Sequence, residues 1–157
     1  MEARRIEMAA FKAIEHYRAA FHCSIDNGYT FGSSQLMLVS FSAELAMKAL
    51  NYQHGSSASG HRLKKLLNQL PPKFSEEIET EMREEWDDYD SSLDNVDHAF
   101  VEWRYIFEAK EPKTLNVNFL MRLAEICCNI VKREFHIEER IIENGVRKII
   151  HLPSIKK

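Results

Sequence analysis

The spacing of apolar residues along the chain predicts helices. Over residues 2–24, apolar side chains recur every three or four positions, and neither Gly nor Pro interrupts them. Asp26-Asn27-Gly28 then favours a helix stop, and Ser33 or Ser34 can cap the helix that follows. That next helix, residues 35–52, is apolar on nearly every face. A helix of this kind lies at the centre of its bundle.

The rest of the chain continues the helical pattern in shorter pieces. Prolines and a Gly/Ser-rich segment separate helices predicted at residues 63–70, 74–88, 96–109 and 116–135, whereas residues 87–95 have the composition of a loop. The scarcity of Gly (5) and Pro (4) favours long helices over a many-stranded sheet. We therefore predict an all-α fold, an antiparallel up-and-down bundle of about five helices in residues 1–137, with residues 138–157 added to the same domain.

The last segment has a different pattern. Asn144-Gly145 lies between Ile141-Ile142 and Ile149-Ile150, and β-branched pairs favour strands. Asn-Gly accepts the positive φ angles of a two-residue hairpin turn. We predict a small β-hairpin over residues 138–152, with the isoleucines of one face buried. The alternative is that the last helix continues through Ile142 and ends with Gly145 as its C-cap.

Charge and cysteine content limit the classes of function. The formal net charge of −3 does not indicate a protein that is basic overall, although it leaves room for a local basic groove. Residues 76–97 hold eleven acids and one base, Arg83, which predicts a solvated acidic face. Cys23, Cys127 and Cys128 lack the spacing of a disulfide framework. Reduced thiols, together with the lack of a signal-peptide core or a membrane-length apolar run, predict a cytoplasmic protein. Cys127 and Cys128 are predicted to be small residues of the core.

Two stretches together resemble a known superfamily. The first is Ser42-Ala-Glu-Leu-Ala-Met-Lys-Ala-Leu50, which a Gly/Ser loop joins to Gly60-His61-Arg62-Leu63. The second is Phe100-Val-Glu-Trp-Arg-Tyr-Ile-Phe-Glu108. In this order they resemble the HEPN (higher eukaryotes and prokaryotes nucleotide-binding) domains. The similarity runs over residues 35–109, close to half of the chain.

The resemblance implies an up-and-down helical bundle that binds a nucleotide, RNA or a protein partner. HEPN proteins include metal-independent ribonucleases of defence and toxin–antitoxin systems, and the resemblance suggests a nucleotidyltransferase-type antitoxin as a partner. HEPN-like proteins commonly pair. We therefore expect a homodimer whose symmetric interface buries aromatics of residues 96–109 and brings two Arg104 side chains near each other.

The catalytic motif of the HEPN ribonucleases is Arg, four to six residues, then His. In this sequence no Arg has a His at that spacing: three residues separate Arg18 from His22 and Arg147 from His151, and two separate Arg133 from His136. We therefore expect a non-catalytic binding module. The alternative is a metal-independent ribonuclease whose divergent site consists of Arg104, His61 and Lys48.

Several side chains are candidates for ligand contacts. Glu44 and Lys48 are one helical turn apart, either as an ion pair at an exposed edge or as a buried pair that meets Arg104 or Glu108 from another helix. Gly60-His61-Arg62 begins a helix, where backbone N–H groups and basic side chains suit a phosphate. The alternative is that His61 only satisfies the hydrogen bonds of backbone groups at that helix end. The predicted ligand-binding residues are Glu44, Lys48, His61, Arg62, Lys65, Arg104, Tyr105 and Glu108.

Aromatic residues and histidines leave alternatives open. Trp103 and Tyr105 either stack on bases or belong to the core, as aromatics at helical spacing usually do. His54 and His61 have no Cys or third His nearby in the sequence, and zinc needs about four ligands. We expect neither a metal nor a cofactor.

Overall fold

The fold is a bundle of helices. The computed structural model describes residues 2–25, 32–105, 108, 110, 114–137, 139–143 and 146–150. In these residues the prediction of an all-α bundle is confirmed, and none of the described helices is long and apolar enough to cross a membrane. The described helices are α1 (Glu2–Ile25), α2 (Gly32–Gln53), α3 (Leu63–Asn68), α4 (Pro72–Glu85), α5 (Tyr89–Val96), α6 (Ala99–Arg104) and α7 (Val117–Glu134).

Helix α2 lies at the centre of the bundle, as its apolar surface predicts. It packs most extensively on α1 and α7, and it also contacts α6 and α3. Val39, Ala46, Ala49 and Leu50 are fully buried. Each buried Leu or Val contributes about 1.5–3 kcal/mol relative to an exposed one, so this helix holds much of the hydrophobic stabilisation.

Contacts between side chains fix the directions of the long helices. The Ser42 hydroxyl donates to the carbonyl of Ala13 at 2.7 Å, and the Phe41 ring lies against His16, so α1 and α2 run antiparallel. Gln35 contacts Met121, and Ser42 contacts Cys128 one heptad further along both helices, so α2 and α7 run parallel. Cys128 and its neighbour Cys127 are buried, which confirms their prediction as core residues.

Helices α4 and α7 are joined by ion pairs. Arg133 of α7 donates to both carboxylate oxygens of Glu77 at 2.8 and 2.7 Å. Arg122, three turns earlier on α7, donates to Glu81 at 3.2 Å and to Glu85 at 2.7 Å. The acidic segment is therefore not a uniformly solvated face, because one side of α4 meets the arginines of α7 in an antiparallel arrangement.

The region between α4 and α6 differs from the prediction. Residues 87–95 contain a helix, α5, where a loop was expected, so the described residues hold seven helices rather than about five. Tyr89, Leu93 and Val96 have helical spacing and are buried, but the surrounding acids hide this stripe in the sequence. The helix predicted over residues 96–109 is shorter in the structure, because α6 begins only at Ala99 and ends at Arg104.

Helix α7 ends at Glu134, so the alternative of a helix continuing to Ile142 is wrong. His136 has a φ of 51°, which turns the chain out of the helical path. Strands β1 (Glu139–Glu143) and β2 (Val146–Ile150) follow and pair antiparallel, with Glu143 opposite Val146. The Asn144-Gly145 turn lies outside the described residues. The burial of the isoleucines stays a prediction.

Candidate functional site

The loop between α2 and α3 places His61 beside α2. The fully buried Asn51, near the end of α2, donates from Nδ2 to the carbonyl of Leu66 at 3.0 Å and so ties α2 to α3. Its own carbonyl accepts from the N–H of Ser56 at 2.9 Å, which folds the Gly/Ser loop back over the end of α2. These two hydrogen bonds of Asn51 hold the loop and α3 against α2, and His61 therefore lies opposite Glu44.

The carboxylate of Glu44 is buried and has two partners. Only 1% of the side chain is exposed, and Lys48 Nζ lies 2.7 Å from Oε1. His61 Nδ1 lies 3.0 Å from Oε1 and 2.9 Å from Oε2. A buried charge needs partners, and these two supply them. The polar pair of α2 is thus met from outside by His61, rather than by the Arg104 or Glu108 that the sequence suggested.

A column of four rings runs from α1 to His61. The His61 ring lies 5.5 Å from the centroid of Phe100, which stacks on Phe41 at 4.7 Å. Phe41 in turn lies 5.0 Å from the ring of His16 on α1. Burial, followed by the charge of nearby Lys12, lowers the pKa of His16, so this end of the column is an uncharged ring near neutral pH.

Arg104 and Tyr105 complete a surface around the same ring. The Arg104 guanidinium lies 5.9 Å from the centroid of Phe100 and 5.2 Å from that of Tyr105, and both Arg104 and Tyr105 are exposed. These distances are within the range of cation–π contacts. We call His61, Phe100, Arg104 and Tyr105 the Phe100 cluster. It combines the cationic side chain of Arg104 with flat rings.

The start of α3 does not offer the phosphate site that the sequence suggested. Asp97 Oδ1 accepts from the N–H of Lys64 at 2.7 Å, and the carbonyl of Asp97 accepts from the N–H of Leu63 at 3.0 Å. Arg62 Nε donates to Asp97 Oδ2 at 2.8 Å. A carboxylate of the protein itself therefore occupies the place where an anion would bind.

The remaining predicted residues lie away from these contacts. Lys65 is exposed on α3, and Glu108 is exposed one turn after Tyr105, to whose carbonyl its N–H donates at 2.9 Å. Trp103 is half-buried against the core, as its helical spacing favoured, and its Nε1 has no hydrogen-bond partner in the described part of the chain.

Comparisons with protein-family models, curated proteins and solved structures find no match to this chain. The site therefore has to be interpreted from its own chemistry. The described residues contain no group of three or more His, Cys, Asp or Glu that could hold a metal ion.

Sequence reasoning missed three residues that build the site. Phe100 was not among the predicted ligand-binding residues, yet it is the ring that His61 and Arg104 share. Phe41 supports that ring from α2, and Asp97 takes up Arg62 and the start of α3. Asp97 could have been noticed in the sequence from its place at the end of the acidic segment. The contact between Phe41 and Phe100 could not, because no local pattern pairs them.

Proposed function

We propose that the protein is a non-catalytic, HEPN-like binding module that takes a ribonucleotide, either free or within RNA, at the Phe100 cluster. The observation that carries this proposal is that His61 and Arg104 lie against the same ring, that of Phe100. In a nucleotide, one ribose joins the phosphate to the base, so a binding site needs a cation close to a flat apolar surface. The Arg104 guanidinium lies this close to the rings of Phe100 and Tyr105.

The chemistry of the cluster suits such a ligand. The Arg104 guanidinium can bind phosphate oxygens with two parallel hydrogen bonds. Tyr105 is 43% exposed and offers a ring face on which a base can stack. Two carboxylates that contact His61 and Arg62 are already paired with cations, Glu44 with Lys48 and Asp97 with Arg62. A phosphate approaching Arg104 therefore meets little uncompensated negative charge from these two groups.

Binding to a labelled single-stranded RNA and to a labelled ribonucleoside triphosphate tests this proposal. We expect measurable affinity for at least one of them, falling by about tenfold in Arg104→Ala because a charge-assisted contact is lost. Arg83→Ala is the matched control, since Arg83 is held by Glu79 of its own helix, α4, and by Asp90 of α5. If the wild-type protein binds neither probe, or if Arg83→Ala weakens binding as much as Arg104→Ala, the proposal is wrong.

A metal-independent ribonuclease is the second candidate, and the contact between His61 and Glu44 favours it. A buried carboxylate on Nδ1 orients an imidazole so that its other nitrogen can accept a proton, which is the arrangement of a general base. Arg104 would stabilise phosphate charge and the ligand's 2′-hydroxyl would be the nucleophile. Cleavage of an RNA pool in the presence of a chelator, lost in both His61→Ala and Arg104→Ala, would support this candidate. Cleavage that survives Arg104→Ala would exclude it in this form.

We also propose that the protein forms a homodimer through α6. We propose further that it acts in a defence or toxin–antitoxin system. Val101 of α6 is 38% exposed, and a symmetric interface would bury it. Analytical ultracentrifugation at micromolar concentration should show a dimer, and Val101→Asp should give a monomer. A nucleotidyltransferase-type antitoxin is the protein partner to test by co-purification.

A further inference from the structure

We propose that His61 makes the site specific for ribose over deoxyribose, because its Nε2 accepts a hydrogen bond from a ligand 2′-hydroxyl. This inference rests on the proposed function, since it concerns a ligand bound at the Phe100 cluster. It goes beyond that function by assigning one atom of the protein to one group of the ligand.

The contact with Glu44 sets the tautomer of the neutral His61 ring. An ionised carboxylate only accepts hydrogen bonds, and both of its oxygens lie within 3.0 Å of Nδ1. Lys48 Nζ, 2.7 Å from the same carboxylate, pairs its negative charge. Nδ1 must therefore carry the proton, and the lone pair of the neutral ring is left on Nε2.

From the position of the ring we infer that this lone pair faces outwards. Nε2 lies across the imidazole from the Nδ1–Glu44 contact, and half of the His61 side chain (50%) is exposed. Phe100 supports one side of the ring and limits its rotation. An acceptor fixed in this way favours a ligand that offers a hydrogen-bond donor. The phosphate that Arg104 would bind is attached to a ribose, so the ribose is the part of the ligand expected to offer that donor.

The 2′-hydroxyl is the donor that distinguishes the two kinds of nucleic acid. It both donates and accepts hydrogen bonds, and DNA lacks it. A phosphate oxygen offers no proton to Nε2, so the phosphates themselves do not satisfy this acceptor. A ligand whose ribose lies beside His61, with its phosphate on Arg104, satisfies both groups together.

Three single strands of identical sequence test the inference at pH 8: RNA, DNA, and RNA with 2′-O-methyl groups. The methylated strand keeps the oxygen but cannot donate. We expect RNA to bind about fivefold to tenfold more tightly than either of the other strands, which corresponds to one hydrogen bond made or left unmade. Equal binding of all three, with Arg104→Ala weakening each, overturns the inference and leaves the proposed function standing. Binding of no strand overturns the inference, and it overturns the proposed function too if the ribonucleoside triphosphate also fails to bind.

A variant of His61 itself provides the second arm. In His61→Phe a ring can keep its place against Phe100 but has no nitrogen to accept the hydrogen bond. We expect this variant to bind RNA and 2′-O-methyl RNA with the same affinity, whereas His22→Ala, at an exposed histidine of α1, keeps the difference. Circular dichroism checks the fold of each variant, and if His61→Phe unfolds, the three wild-type affinities still decide. A preference that persists in folded His61→Phe contradicts the assignment to His61.

Discussion

The carboxylate of Asp97 accepts a hydrogen bond from the backbone N–H of Lys64 at 2.7 Å. A residue that follows α5 therefore caps α3, a helix that begins far earlier in the chain. The same side chain is only 3% exposed and also holds Arg62. This one carboxylate thus fixes the start of α3, two residues after His61.

Replacing Asp97 should destabilise the protein through the loss of this cap. Asp97→Ala is expected to lower the free energy of unfolding by about 2 kcal/mol, the upper end for helix caps, because a partly buried N–H and Arg62 both lose their partner. Asp97→Asn should lose less, since an amide oxygen can still accept from Lys64. Urea denaturation measures both. Asp94→Ala is the control, because Asp94 is exposed and contacts only the end of the Lys64 side chain among the described residues.

Glu44 and Lys48 should show strong coupling in a double-mutant cycle. Lys48→Met leaves the buried carboxylate with His61 alone and should cost about 2 kcal/mol of unfolding free energy. Adding Glu44→Gln removes the unpaired charge, so the double variant should be more stable than the sum of the single effects by about 1–2 kcal/mol. Thermal and urea unfolding of the four proteins measure the cycle. Simple additivity would mean that the pair is not a coupled unit.

The sequence was sufficient for the parts of the fold that depend on local spacing. The apolar surface of α2 predicted its central place, and the four-residue spacing of Glu44 and Lys48 predicted their contact. The contact of His61 with Glu44 could not be predicted in this way, because it depends on the path of the loop that Asn51 holds.

The missed helix shows a second limit of sequence patterns. In α5 the apolar stripe consists of three residues among acids, and it becomes recognisable as a buried face only when α3 and α7 pack on it. Likewise, Phe41 and Phe100 are each ordinary aromatic residues in their helices. Their stacking at 4.7 Å follows from how α2 and α6 pack, which no local pattern records.

The three cysteines should differ sharply in reactivity. Burial, and then the neighbouring Cys128, raises the pKa of the Cys127 thiol well above its usual value, so its thiolate is scarce. Cys128 is equally buried, whereas Cys23 is partly exposed. A thiol reagent at pH 8 should label one cysteine per native chain and three after unfolding. Cys23→Ser should abolish labelling of the native protein; rapid labelling of that variant would show that α7 opens readily.

Tyr89 should make the protein sensitive to alkali. Burial raises its pKa from 10.0 to about 12, so above pH 10 the unfolded chain loses this proton before the folded one does. The stabilisation from the neutral phenol is complete below pH 10 and is lost as the pH rises towards 12. Tyr89→Phe should therefore reduce the loss of stability over this interval, as measured by urea denaturation at several pH values.

The same variant should raise stability at neutral pH. The Tyr89 hydroxyl is buried and has no hydrogen-bond partner among the described residues. Removing an unsatisfied buried hydroxyl should raise the free energy of unfolding by about 1 kcal/mol, while the contact of Arg83 with the ring can persist. Tyr17→Phe is the comparison, because burial also raises the pKa of Tyr17 to about 12. A loss of stability in Tyr89→Phe would mean that its hydroxyl is satisfied.

The column of rings from His16 through Phe41 and Phe100 to His61 gives the bundle a built-in spectroscopic reporter. Each ring lies in the magnetic field of the next, so the proton resonances of all four depend on their relative tilt. A ligand that tilts His61 should shift the signals of Phe100, and further shifts at Phe41 or at His16 on α1 would show that the rings between them move as well. Nuclear magnetic resonance spectra could then show how far into the bundle the effect of a bound ligand extends.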